Sequence, residues 1–295
     1  MSLSDSDTHD NPTRIVFTCE DGVRLVADTW GDPSDVPVLF LHGGGQSRHA
    51  WGQSASTIAE AGFYGLSLDL RGHGESDWDP EGHYSAPAMA EDLKEIVGAL
   101  ERPPIVVGAS MGGLMSLLAE GESTEGILQA LVLVDIAPRM EVAGVERIYA
   151  FMRARPEGFE TLKDAADAIS AYLPHRTRQA SEEGLRRTLK QNAAGRWTWR
   201  WDNRLLDRSA EAFEDDVRRF YDAARRLTLP TLVVRGRMSD VLSEEGVQEL
   251  LELVPHAQYA DVSDAGHMIA GDHNDAFTHV VLTFLQEISA SSDPS

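Results

Sequence analysis

Read for the spacing of its apolar and polar positions, the chain opens on two β-rich runs, 15–19 and 23–27, joined across Glu20, Asp21 and Gly22. Asp-Gly between such runs signals a hairpin, because the tight turn that matches strand twist needs residues tolerant of positive φ. Five apolar runs follow, at 36–41, 64–69, 104–108, 130–135 and 230–236. They are nearly continuous rather than alternating, which is how strands buried on both faces read. Between them stand helical stretches such as 86–100 and 111–119, with apolar residues three and four apart. A last run at 258–262 precedes a helix over 276–288. Strands alternating with helices predict an α/β fold, a doubly wound and mostly parallel sheet covered on both faces.

One interval breaks this rhythm. From Arg139 to Leu227 no strand-like run stands out, and the chain is helical, charged and aromatic. The β-α alternation resumes after it, so the interval is expected to be a helical cap over 139–227. The core is then the two segments 14–138 and 228–288. Trp197, Trp199 and Trp201, three of six tryptophans, fall inside this cap. Alternate residues cannot share one helix face, so packing rather than substrate contact is their expected use.

A chain of 295 residues with 42% hydrophobic positions has room for one sizeable core plus such an insertion. The formal net charge of -22 argues against nucleic acid or anionic membrane as partner, since phosphates would be repelled. No apolar run reaches bilayer-spanning length, and the first residues lack the basic start and apolar stretch of a signal peptide. Cys19 is the single cysteine, so no internal disulfide can form. A cytoplasmic protein is the expectation.

Candidate chemistry begins at Gly108-Ala109-Ser110-Met111-Gly112, which has the form G-x-S-x-G. The pentapeptide gains weight from its setting, with an apolar strand leading in and a helical stretch leading out. A serine on that sharp turn needs strained backbone angles and small neighbours two residues away. The turn exposes its hydroxyl and sets the Met111 amide at a helix N-terminus, where developing negative charge is favoured. The bland alternative is a helix-capping serine beside incidental glycines. His42, Gly43, Gly44 and Gly45 follow the first long buried strand, and successive glycines let a backbone amide approach a ligand. Gly44 and Met111 are therefore the expected oxyanion donors.

A hydroxyl attacks well only when a base takes its proton. Of ten histidines, His267 is the candidate, because it follows the last strand and α/β active sites collect in loops beyond the strands' C-terminal edge. His42, His49, His73 and His83 precede the serine and read as loop or surface residues. His175 lies in the cap, and His256, His273 and His279 flank or ride on helices. The imidazole needs a carboxylate to hold its tautomer, and two aspartates end strands in suitable chain order. Asp240, after the strand that follows the insertion, is the favoured acid. Asp135, at the end of 130–135, is the alternative.

From about Arg14 to Ile288 the chain resembles the α/β-hydrolase superfamily, especially compact capped members such as bacterial esterases, enol-lactonases and cofactor-free haloperoxidases. The likeness rests on 39–44, 68–76, 108–113, Arg235-Gly236 through Asp240, and Ala265-Gly266-His267. It implies about eight strands, a lid over the sheet's C-terminal edge, and no metal or organic cofactor. It makes Asp240 the usual acid, although some relatives take theirs from the strand matching Asp135. Related epoxide hydrolases and haloalkane dehalogenases carry aspartate where this chain has Ser110, which counts against both activities.

The expected function is hydrolysis of a small carboxylic ester or lactone through an acyl-enzyme on Ser110. Carbon–carbon bond hydrolysis, acyl transfer or perhydrolysis by the same residues are alternatives, as is a ligand receptor that has lost turnover.

Overall fold

A computed structural model describes residues 11–173, 181–263, 266–267 and 274–292. The hairpin forms as expected: β1 (Thr13–Thr18) pairs antiparallel with β2 (Arg24–Trp30), Val16 opposite Val26. The core continues through β3 (Pro37–Leu41), α1 (Gly52–Glu60), β4 (Tyr64–Leu68), α2 (Ala86–Gly98), β5 (Ile105–Ala109), α3 (Met111–Gly121) and β6 (Ala130–Val134). Every residue of β3, β4, β5 and β6 is buried, which is why these runs do not alternate in the sequence. Their side chains still divide with period two. Leu39 and Leu41 face the core layer that includes Leu93 and Leu117, whereas Val38 and Phe40 face Trp51 and Phe277. The Trp51 ring lies 5.5 Å from Phe40 and 5.3 Å from Phe277. Full burial of such a side chain contributes roughly 1.5–3 kcal/mol.

The insertion contains α4 (Val142–Arg153), α5 (Leu162–Tyr172), α6 (Glu182–Thr188), β7 (Leu189–Gln191), β8 (Trp197–Trp199) and α7 (Ala210–Ala224). It is not strandless: β7 and β8 pair antiparallel with Lys190 opposite Thr198. The alternation Trp-Thr-Trp suits a pleated ribbon, where residues two apart share a face. The Trp199 ring, at the end of β8, stacks on the Trp201 ring with centroids 4.6 Å apart. The last helix, α7, lies against α3 so closely that a Cβ on Gly121 would sit 2.6 Å from the Ala223 Cβ. α7 thus belongs to the helical layer on the sheet rather than to a separate cap, while α4, α5, α6 and the β7–β8 ribbon make up the rest of the insertion.

The chain returns to the sheet with β9 (Thr231–Gly236), α8 (Glu244–Leu253), β10 (Gln258–Val262) and α9 (Asn274–Ser292), whose helix ends four residues beyond the expected 288. The eight-stranded sheet has the order β1-β2-β4-β3-β5-β6-β9-β10. Its β2 is antiparallel to β1 and β4, and all other neighbours are parallel. The C-terminal ends of β3, β5, β6 and β9 therefore meet along one edge. The insertion is tied to that edge beside the turn after β4. Asp202 N–H donates to Gly72 O at 2.8 Å, Gly74 N–H to Arg200 O at 2.7 Å, and the Tyr84 hydroxyl to Asp202 Oδ2 at 2.7 Å. Among the described residues, no helix is long and apolar enough to cross a membrane.

Candidate active site

Ser110 stands between β5 and α3 with φ 45 and ψ -114, a region that side chains other than glycine rarely enter. The neighbouring glycines are required by contact. A Cβ on Gly108 would lie 2.6 Å from Gly113 Cα, and one on Gly112 would lie 2.7 Å from Leu41 O. Small residues flank the serine because helix and strand backbones touch there, as the sequence pattern implies. Met111 is the first residue of α3, so its amide has no partner within the helix ladder.

The glycine-rich loop after β3 comes up against this turn, with a Cβ on Gly43 reaching 3.3 Å from Ser110 Cβ. Two of its amides are committed to side chains. Gly43 N–H donates to Gln46 Oε1 at 2.8 Å, and Gly45 N–H donates to His73 Nε2 at 3.1 Å. Gly44, between them, lines the cavity beside Ser110, and a Cβ there would meet only Met111 Sδ at 4.0 Å. His42 braces the loop from below: its Nδ1 lies 2.8 Å from Gly43 O, and its Nε2 accepts the Leu70 N–H at 3.1 Å. Burial lowers the His42 pKa from its ordinary value, and burial above all holds His73 down at about 3. Both rings stay neutral, and each keeps one nitrogen as acceptor for a backbone amide.

His267 Nδ1 lies 2.6 Å from Asp135 Oδ2, and the Asp135 side chain is wholly buried. The favoured acid of the sequence reading is elsewhere. Asp240 is 36% exposed and pairs with Arg147 of α4 at 2.6 Å, so the structure brings Asp135 rather than Asp240 to His267. The physical reason lies in the loop after β9. The Gly236 amide donates to Asp135 Oδ1 at 2.9 Å, and the Ser239 hydroxyl donates to Oδ2 at 2.5 Å. That loop turns its serine inward and its aspartate outward. Asp135 itself has φ 52; among the described residues it shares positive φ with Ser110 alone of the non-glycines. Backbone strain of this kind gathers at functional sites.

Ser110, Gly44, Met111 and His267 open onto one cavity of about 210 Å3. Its walls are largely apolar, drawn from the core and from the insertion, with Tyr149, Met152 and Trp201 among the latter. Of the three clustered tryptophans only Trp201 reaches this wall, and it is also buried and stacked on Trp199. His73 and Gln46 also line it, though the sequence reading assigned His73 to loop or surface and did not single out Gln46. Their position inside the two glycine-bearing loops was the available signal. Elsewhere, His49 approaches Asp28, His83 is exposed beside Asp79, and His256 Nε2 lies 2.9 Å from Leu229 O. His175 and His273 lie outside the described residues, as do Asp264, Ala265 and Met268 around His267. Among the described residues, no three His, Cys, Asp or Glu side chains gather as a metal site requires.

A serine on a strained strand-to-helix turn, sharing a cavity with a histidine from beyond the last strand of this sheet, defines an α/β-hydrolase arrangement. The family model for the alpha/beta hydrolase fold matches residues 36–274, and the chain belongs to that family. It is similar to the esterase Rv0045c of Mycobacterium tuberculosis, 29% identical over 260 residues and covering 85% of this chain and 83% of that protein. It is also similar to the sn-1-specific diacylglycerol lipase ABHD11 of Mus musculus, 29% identical over 262 residues, with 86% and 82% covered. In fold it matches the crystal structure of E-2-(acetamidomethylene)succinate hydrolase with a TM-score of 0.80 at 22% identity, covering 93% of this chain and all of that one.

Proposed function

We propose that this protein hydrolyses small carboxylic esters or lactones through an acyl-enzyme, with Ser110 as nucleophile, His267 as base and Asp135 as the residue that orients His267. The observation that carries the proposal is the buried carboxylate 2.6 Å from a histidine that shares a cavity with the strained serine. Likeness to a mycobacterial esterase and a mouse diacylglycerol lipase supports ester chemistry. Ser110 Oγ attacks the carbonyl carbon while its proton passes to His267 Nε2. The carbonyl oxygen gains negative charge in reach of the Gly44 and Met111 amides. The bond to the leaving oxygen then breaks, and His267 returns the proton to it. Water attacks the acyl-enzyme by the same route, gives a proton to His267, and Ser110 regains it as the acid departs. Asp135 keeps the Nδ1 proton in place and stabilises the imidazolium. The test is a panel of short p-nitrophenyl esters and small lactones, with parallel fluorophosphonate labelling. Turnover with an adduct on Ser110 supports the reading; labelling without turnover of any ester or lactone points to another reaction or a receptor.

A further inference from the structure

The glycine loop after β3 is gripped from the turn that follows β4, and the grip is His73. Its ring is fully buried, and Nε2 accepts the Gly45 N–H at 3.1 Å. Nδ1 lies 3.0 Å from Arg71 O, so the tautomer with its proton on Nδ1 satisfies both nitrogens. The turn beneath is itself anchored: Arg71 forks onto Asp92 of α2 with two contacts of 2.5 Å and reaches Asp21 at 2.7 Å. Asp69, wholly buried, accepts the Arg48 and Glu75 amides at 2.7 and 2.9 Å. On the other side Gln46 Oε1 takes the Gly43 amide at 2.8 Å. A loop of three glycines has unusual backbone freedom, and an oxyanion donor acts only if it is aimed before charge develops.

We infer that His73 is a positioning residue for the oxyanion hole: by holding Gly45 while Gln46 holds Gly43, it leaves the Gly44 amide directed into the cavity at Ser110. Burial keeps the ring neutral, which preserves the Nε2 lone pair on which the grip depends. In this role His73 acts through the loop. The inference rests on the ester-hydrolase reading of the same site.

The test compares His73→Leu, His73→Gln and His73→Asn with wild type on p-nitrophenyl butyrate and on n-butylboronic acid, which forms a tetrahedral adduct with a nucleophilic serine. Outright loss of an oxyanion donor costs about 100- to 1000-fold, so a misaimed one should cost about 10- to 100-fold. In His73→Leu the expected result is that fall in kcat with KM within about twofold, and an equal loss of boronate affinity. His73→Gln, whose Oε1 can stand where Nε2 stood, recovers most of the kcat; His73→Asn is too short to do so. Unchanged kcat in a folded His73→Leu, or a rise in KM alone, overturns the inference. If the leucine variant does not fold, equal kcat in the glutamine and asparagine variants overturns it. Absence of ester turnover in wild type counts against the functional reading instead, and the boronate affinities still report on the loop.

Discussion

Ser110 and Asp135 directly follow adjacent strands, β5 and β6, and both hold positive φ, 45 and 52. Each is locked by the neighbouring strand: Ser110 N–H donates to Val134 O at 3.2 Å and Asp135 N–H to Val234 O at 2.7 Å. The fold holds these two residues in backbone conformations that they disfavour, at a cost of order 1–3 kcal/mol each.

That strain predicts a separation of stability from activity. Ser110→Gly should abolish turnover and raise the stability of the protein by about 1 kcal/mol, because glycine enters this region freely while its looser unfolded chain offsets part of the gain. Urea unfolding compared with wild type checks it; a less stable glycine variant contradicts the strain.

Acid should unfold the protein through its buried histidines. His73 is held at about 3 in the folded state against an ordinary 6.5, so between these values the unfolded chain binds a proton that the native one refuses. Stability is then full above pH 6.5 and is lost as pH falls toward 3, with His42 acting in the same direction. From pH 7 to pH 5 the loss from His73 alone should be about 2 kcal/mol, and His73→Gln should flatten that slope. Equal pH slopes in the two proteins contradict the assignment.

The size of the cavity limits the acyl chain. Each methylene adds about 0.8 kcal/mol of binding only while room remains, and the cavity measures about 210 Å3. Acetate to hexanoate p-nitrophenyl esters should be turned over well, and palmitate and emulsified triglycerides should not. Met152, whose Cε would lie 3.3 Å from a Cβ on Gly45, closes the wall beside the glycine loop. Met152→Ala should move the optimum in kcat/KM toward longer chains by about two carbons, while costing roughly 2 kcal/mol or more of stability. An optimum at long chains in wild type, or none moved by the substitution, contradicts this picture.

The sheet was legible in the sequence because strands buried on both faces cannot hide. Continuous apolar runs marked β3, β4, β5, β6 and β9 to within one or two residues. Ser110 was legible because contact demands glycines at 108 and 112, and composition records that demand. The β7–β8 ribbon was not, since strands of three residues leave too short a period to detect. The partner of His267 was not either. Asp135 and Asp240 both follow strands; what separates them is the left-handed backbone of one and the outward turn of the other, and neither leaves a mark in residue type. His73 sat in a segment that the sequence did single out, but only folding shows that it is buried and facing Gly45.

The most direct test of the account is kcat for Asp135→Asn and Asp240→Asn on one short p-nitrophenyl ester, with both variants confirmed as folded. An asparagine beside His267 favours the wrong tautomer, so Asp135→Asn should lower kcat by roughly a thousandfold or more. Asp240→Asn breaks an exposed pair with Arg147 and should change kcat by no more than about threefold. The reverse order, with Asp240→Asn crippled and Asp135→Asn active, would contradict the arrangement of Ser110, His267 and Asp135.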